Sequence, residues 1–258
     1  MSHPLSRRDR VRAATVQEIK QTARGLLVEQ GPEALTLRAI AREMGMTAPA
    51  LYRYFDSHEI LVRQLVADIF GELTSALRAV ADSAAQRPAT SGSGSKGTVI
   101  IVAVCREFRR WALDHTAEYA LLFGTPIRGR RDRLDEITDR PGRTFARVFF
   151  GLFTELWRHH QFAVPAPDEI DAGLRDQLER FRDDLSAGLP AIAELPVGAM
   201  LIFLRCWTRL YGAVTMEAFG HLKFALDDAS AMFEYTLSEM TGWLGMTYPP
   251  RQSSAPAG

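Results

Sequence analysis

Apolar positions along residues 9–30 fall at Val16, Ile19, Ala23 and Leu26, three or four apart. They form one stripe of a helix, which Gly31-Pro32 stops. The same spacing predicts a short helix over 37–44, with Ile40, Ala41 and Met44 inward, Thr36 as N-cap and Gly45 as the stop. A second short helix is predicted over 48–55, with Thr47 as N-cap and Pro49 in the first turn, where a missing N–H costs nothing. Asp56 and Glu59 make a capping-box pattern ahead of a long helix over 57–84, along which Leu61, Leu65, Ile69, Leu73 and Leu77 step by four. Further helices are predicted at 98–114, 116–123, 142–160, 168–186, 197–222 and 228–244. Strand-like alternation is rare, so the predicted fold class is all-α.

One stretch, MTAPALYRYFDSHEIL at 46–61, departs from simple amphipathicity. Ala48, Leu51, Tyr52 and Phe55 share a face, yet Arg53 and Tyr54 fall on the other side. Phe55 reads as core, whereas Tyr52 suits core and contact equally. Helix 37–44, the turn Gly45-Met46 and helix 48–55 have the helix-turn-helix shape, whose second helix enters the DNA major groove. Ala48, Pro49 and Ala50 are small enough to let the backbone approach base edges, and the helix start suits phosphate. Tyr52 and Tyr54 offer hydroxyls, and Arg53 a charge, to a phosphate or a base edge.

On these residues, LTLRAIAREMGMTAPALYRYFDSHEIL at 35–61 after the 9–30 helix, the sequence resembles the TetR family of bacterial transcriptional regulators. The resemblance implies a three-helix DNA-binding domain over 9–60, a larger helical ligand-sensing and dimerisation domain over 61–246, and a homodimer with one recognition helix per subunit. It further implies a small molecule that lowers affinity for the double-stranded operator, and hence a repressor; an activator, or a regulator without a ligand, is the alternative. By position it assigns DNA contacts to Thr36, Arg38, Thr47, Ala48, Pro49, Ala50, Tyr52 and Tyr54. His58 stands where the family usually has a phosphate-holding Lys, so that contact is weaker or passes to Arg53 or the Arg7–Arg12 arm. A shorter match, WTRLYGAVTMEAFGH at 207–221, resembles the C-terminal signature of the WHG subgroup, with Trp207, Thr208 and Gly212 in its positions and the His replaced.

Composition adds limits. The chain has 258 residues and no net charge. Residues 1–55 carry nine basic and five acidic side chains, an excess of four that the remainder balances. A mildly basic head suits an anionic partner. Cys105 and Cys206 read as reduced, packed thiols of a cytoplasmic protein. No signal peptide is read at the polar start, and the apolar run VGAMLIFL at 197–204 reaches Arg205 after eight residues, so no membrane span is expected. Residues 1–8 and 247–258 read as disordered tails. The Gly/Ser-rich 86–97 and the charged 128–142 read as surface connections. Lys96 precedes Gly97, so 86–97 lacks the phosphate-loop order. No catalytic signature is present, no cofactor is expected, and His159 and His160, being adjacent, make no metal site on a helix.

Helix 197–222 is apolar nearly all round and needs cover on several sides. A second subunit supplies it if 197–222 and 228–244 form the dimer interface; the alternative is that both lie at the centre of one subunit. Trp111, Phe123, Phe149, Phe153, Trp157, Phe203, Trp207 and Tyr211 could line an effector pocket or fill the core, with Arg205, Arg209, His115 and Glu217 as candidate polar anchors.

Overall fold

The computed structural model describes residues 6–87, 95–124 and 140–248, and no strand occurs among them. Helix α1 (Arg7–Gln30) begins two residues earlier than its apolar pattern suggests. Ser6 caps it, its hydroxyl accepting from the Asp9 amide at 3.1 Å. Arg7 and Arg8 are therefore helical rather than part of a disordered tail. Helix α2 (Leu37–Glu43) carries the expected cap, with Thr36 accepting from the Ala39 amide at 3.2 Å. After α3 (Ala48–Tyr52) comes the long α4 (His58–Gln86). Its first turn is capped by Ser57, which accepts from the Ile60 amide at 3.2 Å, one residue later than the predicted Asp56.

Beyond α4 lie α5 (Lys96–Asp114), the one-turn α6 (Thr116–Tyr119) continued by a π-type turn (Ala120–Gly124), α7 (Arg140–His159), α8 (Ala172–Ser186), α9 (Val197–Ala218) and α10 (Ser230–Trp243). The stretch predicted as one helix over 168–186 is a 3-10 turn (Pro167–Glu169) followed by α8, which Asp171 caps by accepting from the Leu174 amide at 3.1 Å. Helix α9 stops four residues short of the predicted end. Gly220 takes φ +72, and the His221 amide returns to the Met216 carbonyl at 2.7 Å, which closes the helix. Most of the connection at 86–97, all but the end of 128–142, and the far ends of the tails lie outside the described residues. Tyr248, expected in the C-terminal tail, is described and bonds Glu234 and Arg106.

Contacts divide the chain into two compact units. Among the described residues, one holds those up to Glu72 together with 115–124 and 140–142; the other holds 73–87, 95–114 and 143–248. Packing thus places 61–72 and 115–124 with the N-terminal helices, a division that does not follow the 60/61 boundary expected from sequence. The first unit is built on Ile19, Ala23, Leu27, Ile40, Leu51, Phe55, Leu61 and Ile69, all buried. Arg24 joins its helices by ion pairs to Glu72 at 2.7 Å and to the buried Glu118 at 3.1 Å. The second unit packs α9 against α5, α8 and α10. By length and composition α9 is apolar enough to cross a membrane, contrary to the expectation above, but half of its apolar window is buried inside the chain. Its arginines are also used internally: Arg205 lies 4.6 Å from the Trp243 ring centroid and Arg209 pairs with Glu239 at 2.6 Å.

Candidate nucleic-acid interface

The turn between α2 and α3 depends on Gly45. Its φ of +64 lies in the left-handed region, where a side chain would be strained. The Gly45 amide bonds the Arg42 carbonyl at 3.1 Å and the Met46 amide bonds the Ala41 carbonyl at 2.8 Å. This double closure ends α2 and turns the chain into α3. Helix α3 is shorter than the predicted 48–55. Past Tyr52 the chain tightens, with the Tyr54 amide on the Leu51 carbonyl at 2.9 Å. Thr47 occupies the N-cap position but its side chain makes no cap bond.

Two side chains anchor this element: Leu51 and Phe55 are buried in the first unit. The rest faces outward. Thr36, Arg38, Thr47, Pro49 and Arg53 are exposed, Ala48, Ala50 and Tyr54 are half-buried, and Tyr52 is 52% exposed. The choice left open for Tyr52 thus falls on the outward side. The predicted DNA-contact residues are in this way gathered on the elements around Gly45, with a guanidinium and a phenol among small side chains. Such a surface offers donors and charge without bulk.

Two of the side chains expected near DNA also make contacts within the protein. The His58 ring bonds the Leu35 carbonyl through Nε2, tying the start of α4 to the loop before α2. Arg12, counted with the N-terminal arm, donates from Nη2 to the Arg53 carbonyl at 3.1 Å, and its guanidinium carbon lies 5.4 Å from the Tyr54 ring centroid. Neither role is legible in residue spacing, because each spans a tertiary contact.

The eight aromatics named for a pocket separate. Phe149, Phe153, Phe203 and Trp207 line a cavity of about 50 Å³, together with Cys105, Cys206 and aliphatic side chains. Trp111 is buried in α5, Phe123 packs on Phe70 in the first unit, Trp157 meets Phe162 at 4.9 Å, and Tyr211 stacks on Trp207 at 6.0 Å. None of the four lines the cavity. The proposed anchors are also absent from it. Glu217 is instead held by Arg109 at 2.5 Å. Burial pushes both thiols up to about 12, for Cys105 with a smaller contribution from Cys206, so they stay protonated and inert. A larger polar cleft of about 360 Å³ runs along Arg106, Arg109, Arg110, Glu107, Asp114 and Glu234. Its arginines are matched by carboxylates: Arg106 by Glu234, Arg109 by Glu217, Arg110 by Glu107 and Asp114. Among the described residues no group of three His, Cys, Asp or Glu could hold a metal ion.

Comparison with known proteins gives the family. Residues 13–65 match the family model for bacterial regulatory proteins of the tetR family, and residues 101–240 match that for the tetracyclin repressor-like C-terminal domain. The chain belongs to the TetR family. HTH-type transcriptional regulators of Mycobacterium bovis and Mycobacterium tuberculosis are 29% identical to it over 207 residues, spanning 79% of this chain and 80% of theirs. The crystal structure of SCO4313, solved as a candidate regulatory protein, is 28% identical and superposes with a TM-score of 0.65, covering 92% of this chain and 100% of that one. A Rhodococcus protein of unknown function shares the fold at a TM-score of 0.57 and 18% identity, over 89% of this chain and 93% of its own. The protein is thus a DNA-binding transcriptional regulator rather than an enzyme, and like its family it pairs with a second copy of itself.

Proposed function

We propose that this TetR-family protein is a ligand-responsive repressor, in which 9–60 reads the operator and 61–246 senses the ligand and dimerises. The observation that carries the DNA part is the outward set around α3: Thr36, Arg38, Thr47, Ala48, Pro49, Ala50, Tyr52, Arg53 and Tyr54, held by the buried Leu51 and Phe55. A dimer presents two such elements about 34–36 Å apart, one turn of DNA, to successive major grooves in the cytoplasm. Selection of bound duplexes from a random pool tests it. The expected result is a near-palindrome with that half-site spacing; enrichment of no sequence would falsify the reading.

The dimer is assigned to α9 and α10. Met216, Met232 and Tyr235 on these helices are large, apolar and 44%, 45% and 62% exposed, which supports cover by a second subunit. The effector site is assigned to the apolar cavity lined by Phe149, Phe153, Phe203 and Trp207. At about 50 Å³ it is far below the roughly 300–1,000 Å³ of organic-ligand sites, so an effector enters only as α5, α7, α9 and α10 part. Release of the operator then needs differential affinity: about 5.5 kcal/mol carries an equilibrium from 1:99 to 99:1. The small cavity equally favours a second reading, a regulator with no small-molecule ligand. A thermal-shift screen of uncharged aromatic compounds decides between them. A true ligand at a hundred times its Kd adds about 2.7 kcal/mol of stability, and a flat screen supports the ligand-free reading.

A further inference from the structure

We propose that Arg12 is a positioning residue for the recognition helix and not a phosphate-contacting member of the N-terminal arm. The proposal rests on the reading of α3 as the DNA reader. Helix α3 has five residues, and its Thr47 side chain makes no cap bond. A helix that short does not hold its own direction in water. Its terminal carbonyls lack partners within the helix, and the negative end of the helix favours a cation. Arg12, from α1 and 41 residues earlier in the chain, supplies both needs. Its Nη2 donates to the carbonyl of Arg53, the residue that ends α3, at 3.1 Å. Its guanidinium also lies 5.4 Å from the Tyr54 ring centroid, within cation–π range. One side chain therefore fixes both the end of the helix and the tyrosine beyond it.

The buried Leu51 and Phe55 hold α3 from beneath, but they leave rotation about that apolar seam to be set by something else. Arg12 acts on the exposed side, where the rotation decides which way Tyr52 and Arg53 face. His58 has the matching place at the other end of the motif. Since a carbonyl only accepts, its Nε2 carries the proton donated to Leu35. Two groups that a charge count would give to DNA phosphates are thus used inside the protein. Arg7, Arg8 and Arg10, earlier on α1 and exposed, remain for the arm.

The two roles have different salt signatures. A phosphate contact releases counterions, and losing it flattens the plot of log affinity against log salt by about 0.9 for each contact. A strut that orients another residue releases none. The test uses the full-length dimer, the duplex found by selection and a scrambled duplex, with affinity measured over a range of salt. Arg12→Ala is expected to weaken operator binding about tenfold at every salt concentration, in keeping with loss of a charged hydrogen bond, with its slope unchanged and scrambled-duplex binding unaltered. Arg12→Lys restores only part, because an ammonium does not spread over a ring. Tyr54→Leu combined with Arg12→Ala costs less than the two single losses together, since both remove one contact. Arg53→Ala is the reference for a phosphate contact: it flattens the slope and weakens both duplexes alike.

Arg12→Ala that flattens the slope like Arg53→Ala, or that leaves operator affinity intact, overturns the proposal. If Arg12→Ala lowers the melting temperature enough to blur the comparison, Arg12→Gln, which keeps the aliphatic stem and an N–H donor but not the charge, carries the same slope test. A wild-type dimer that does not distinguish the two duplexes defeats the underlying reading of α3 instead, so the two failures are separable.

Discussion

Tyr52 on α3 and Trp207 on α9 both sit four residues beyond a small or apolar helical neighbour, and both look alike in a hydrophobic pattern. In the structure Tyr52 is 52% exposed with only a five-residue helix beneath it, whereas Trp207 lies among Phe108, Phe145 and Phe149, with ring centroids at 6.2, 6.0 and 5.4 Å. The difference is one of surroundings. So short a helix buries one side chain, Leu51, with Phe55 anchoring the turn just beyond it, and the rest of it stays wholly or partly open to solvent or a partner. A 22-residue helix packed against three others finds neighbours on several sides: of its aromatics, Phe203 is buried and Trp207 and Tyr211 are half-buried. On the proposed reading, function in the first unit rests on what is left outside, and in the second on whether packing can open.

The largest effect that would sharpen this contrast is on stability. Phe55→Ala should cost about 3–5 kcal/mol of unfolding free energy, while Tyr52→Ala should cost under about 0.5 kcal/mol yet weaken operator binding. Denaturant melts paired with DNA titration measure both, and equal stability losses would erase the distinction between the two side chains. Next, Pro49→Glu should weaken operator binding at least about a hundredfold with an unchanged melt, because it brings an anion against the duplex. Retained binding would move the reader to another helix.

In the second unit, Tyr235→Asp should raise the dimer dissociation constant more than about tenfold, read by sedimentation, and a dimer indifferent to it would mean that α10 is not at the interface. The smallest effect concerns pH. Cys105 and Cys206 keep their protons in the fold up to about 12, against an ordinary 9.0. The stabilisation they give is complete below pH 9 and fades as the pH climbs from there towards 12, because the unfolded chain releases protons that the folded one retains. Replacing both by Ala should flatten that decline in denaturant midpoints. The first unit holds neither cysteine, so a decline that persists in the double variant would have another origin.

How far the sequence carried depends on the range of the interaction. Gly45 was legible as a stop because a turn signal sits beside a short apolar run. Gly220 does the same work at the end of α9 but lies within AFGHLKF, where apolar neighbours hide it. Asp56 and Ser57 are equally good caps by type, and only the geometry of the first turn selects Ser57. The aromatic set named for the pocket kept four members at the cavity and lost four to other contacts, since spacing tells that a ring is inward and not what it faces. The internal contacts of Arg12 and His58 were hidden for the complementary reason: their partners, Arg53 and Leu35, lie 41 and 23 residues away.

The sequence by itself determined the all-helical class and the family, because those follow from local periodicity, turn chemistry and a dense motif within one short stretch. Tertiary structure alone decided which of the outward groups bond back to the protein, how 115–124 joins the N-terminal helices, and how little space the aromatic core leaves. Each of those depends on distances between residues far apart in the chain, and side-chain volume and charge acquire a role only once folding has brought their partners within a few ångströms.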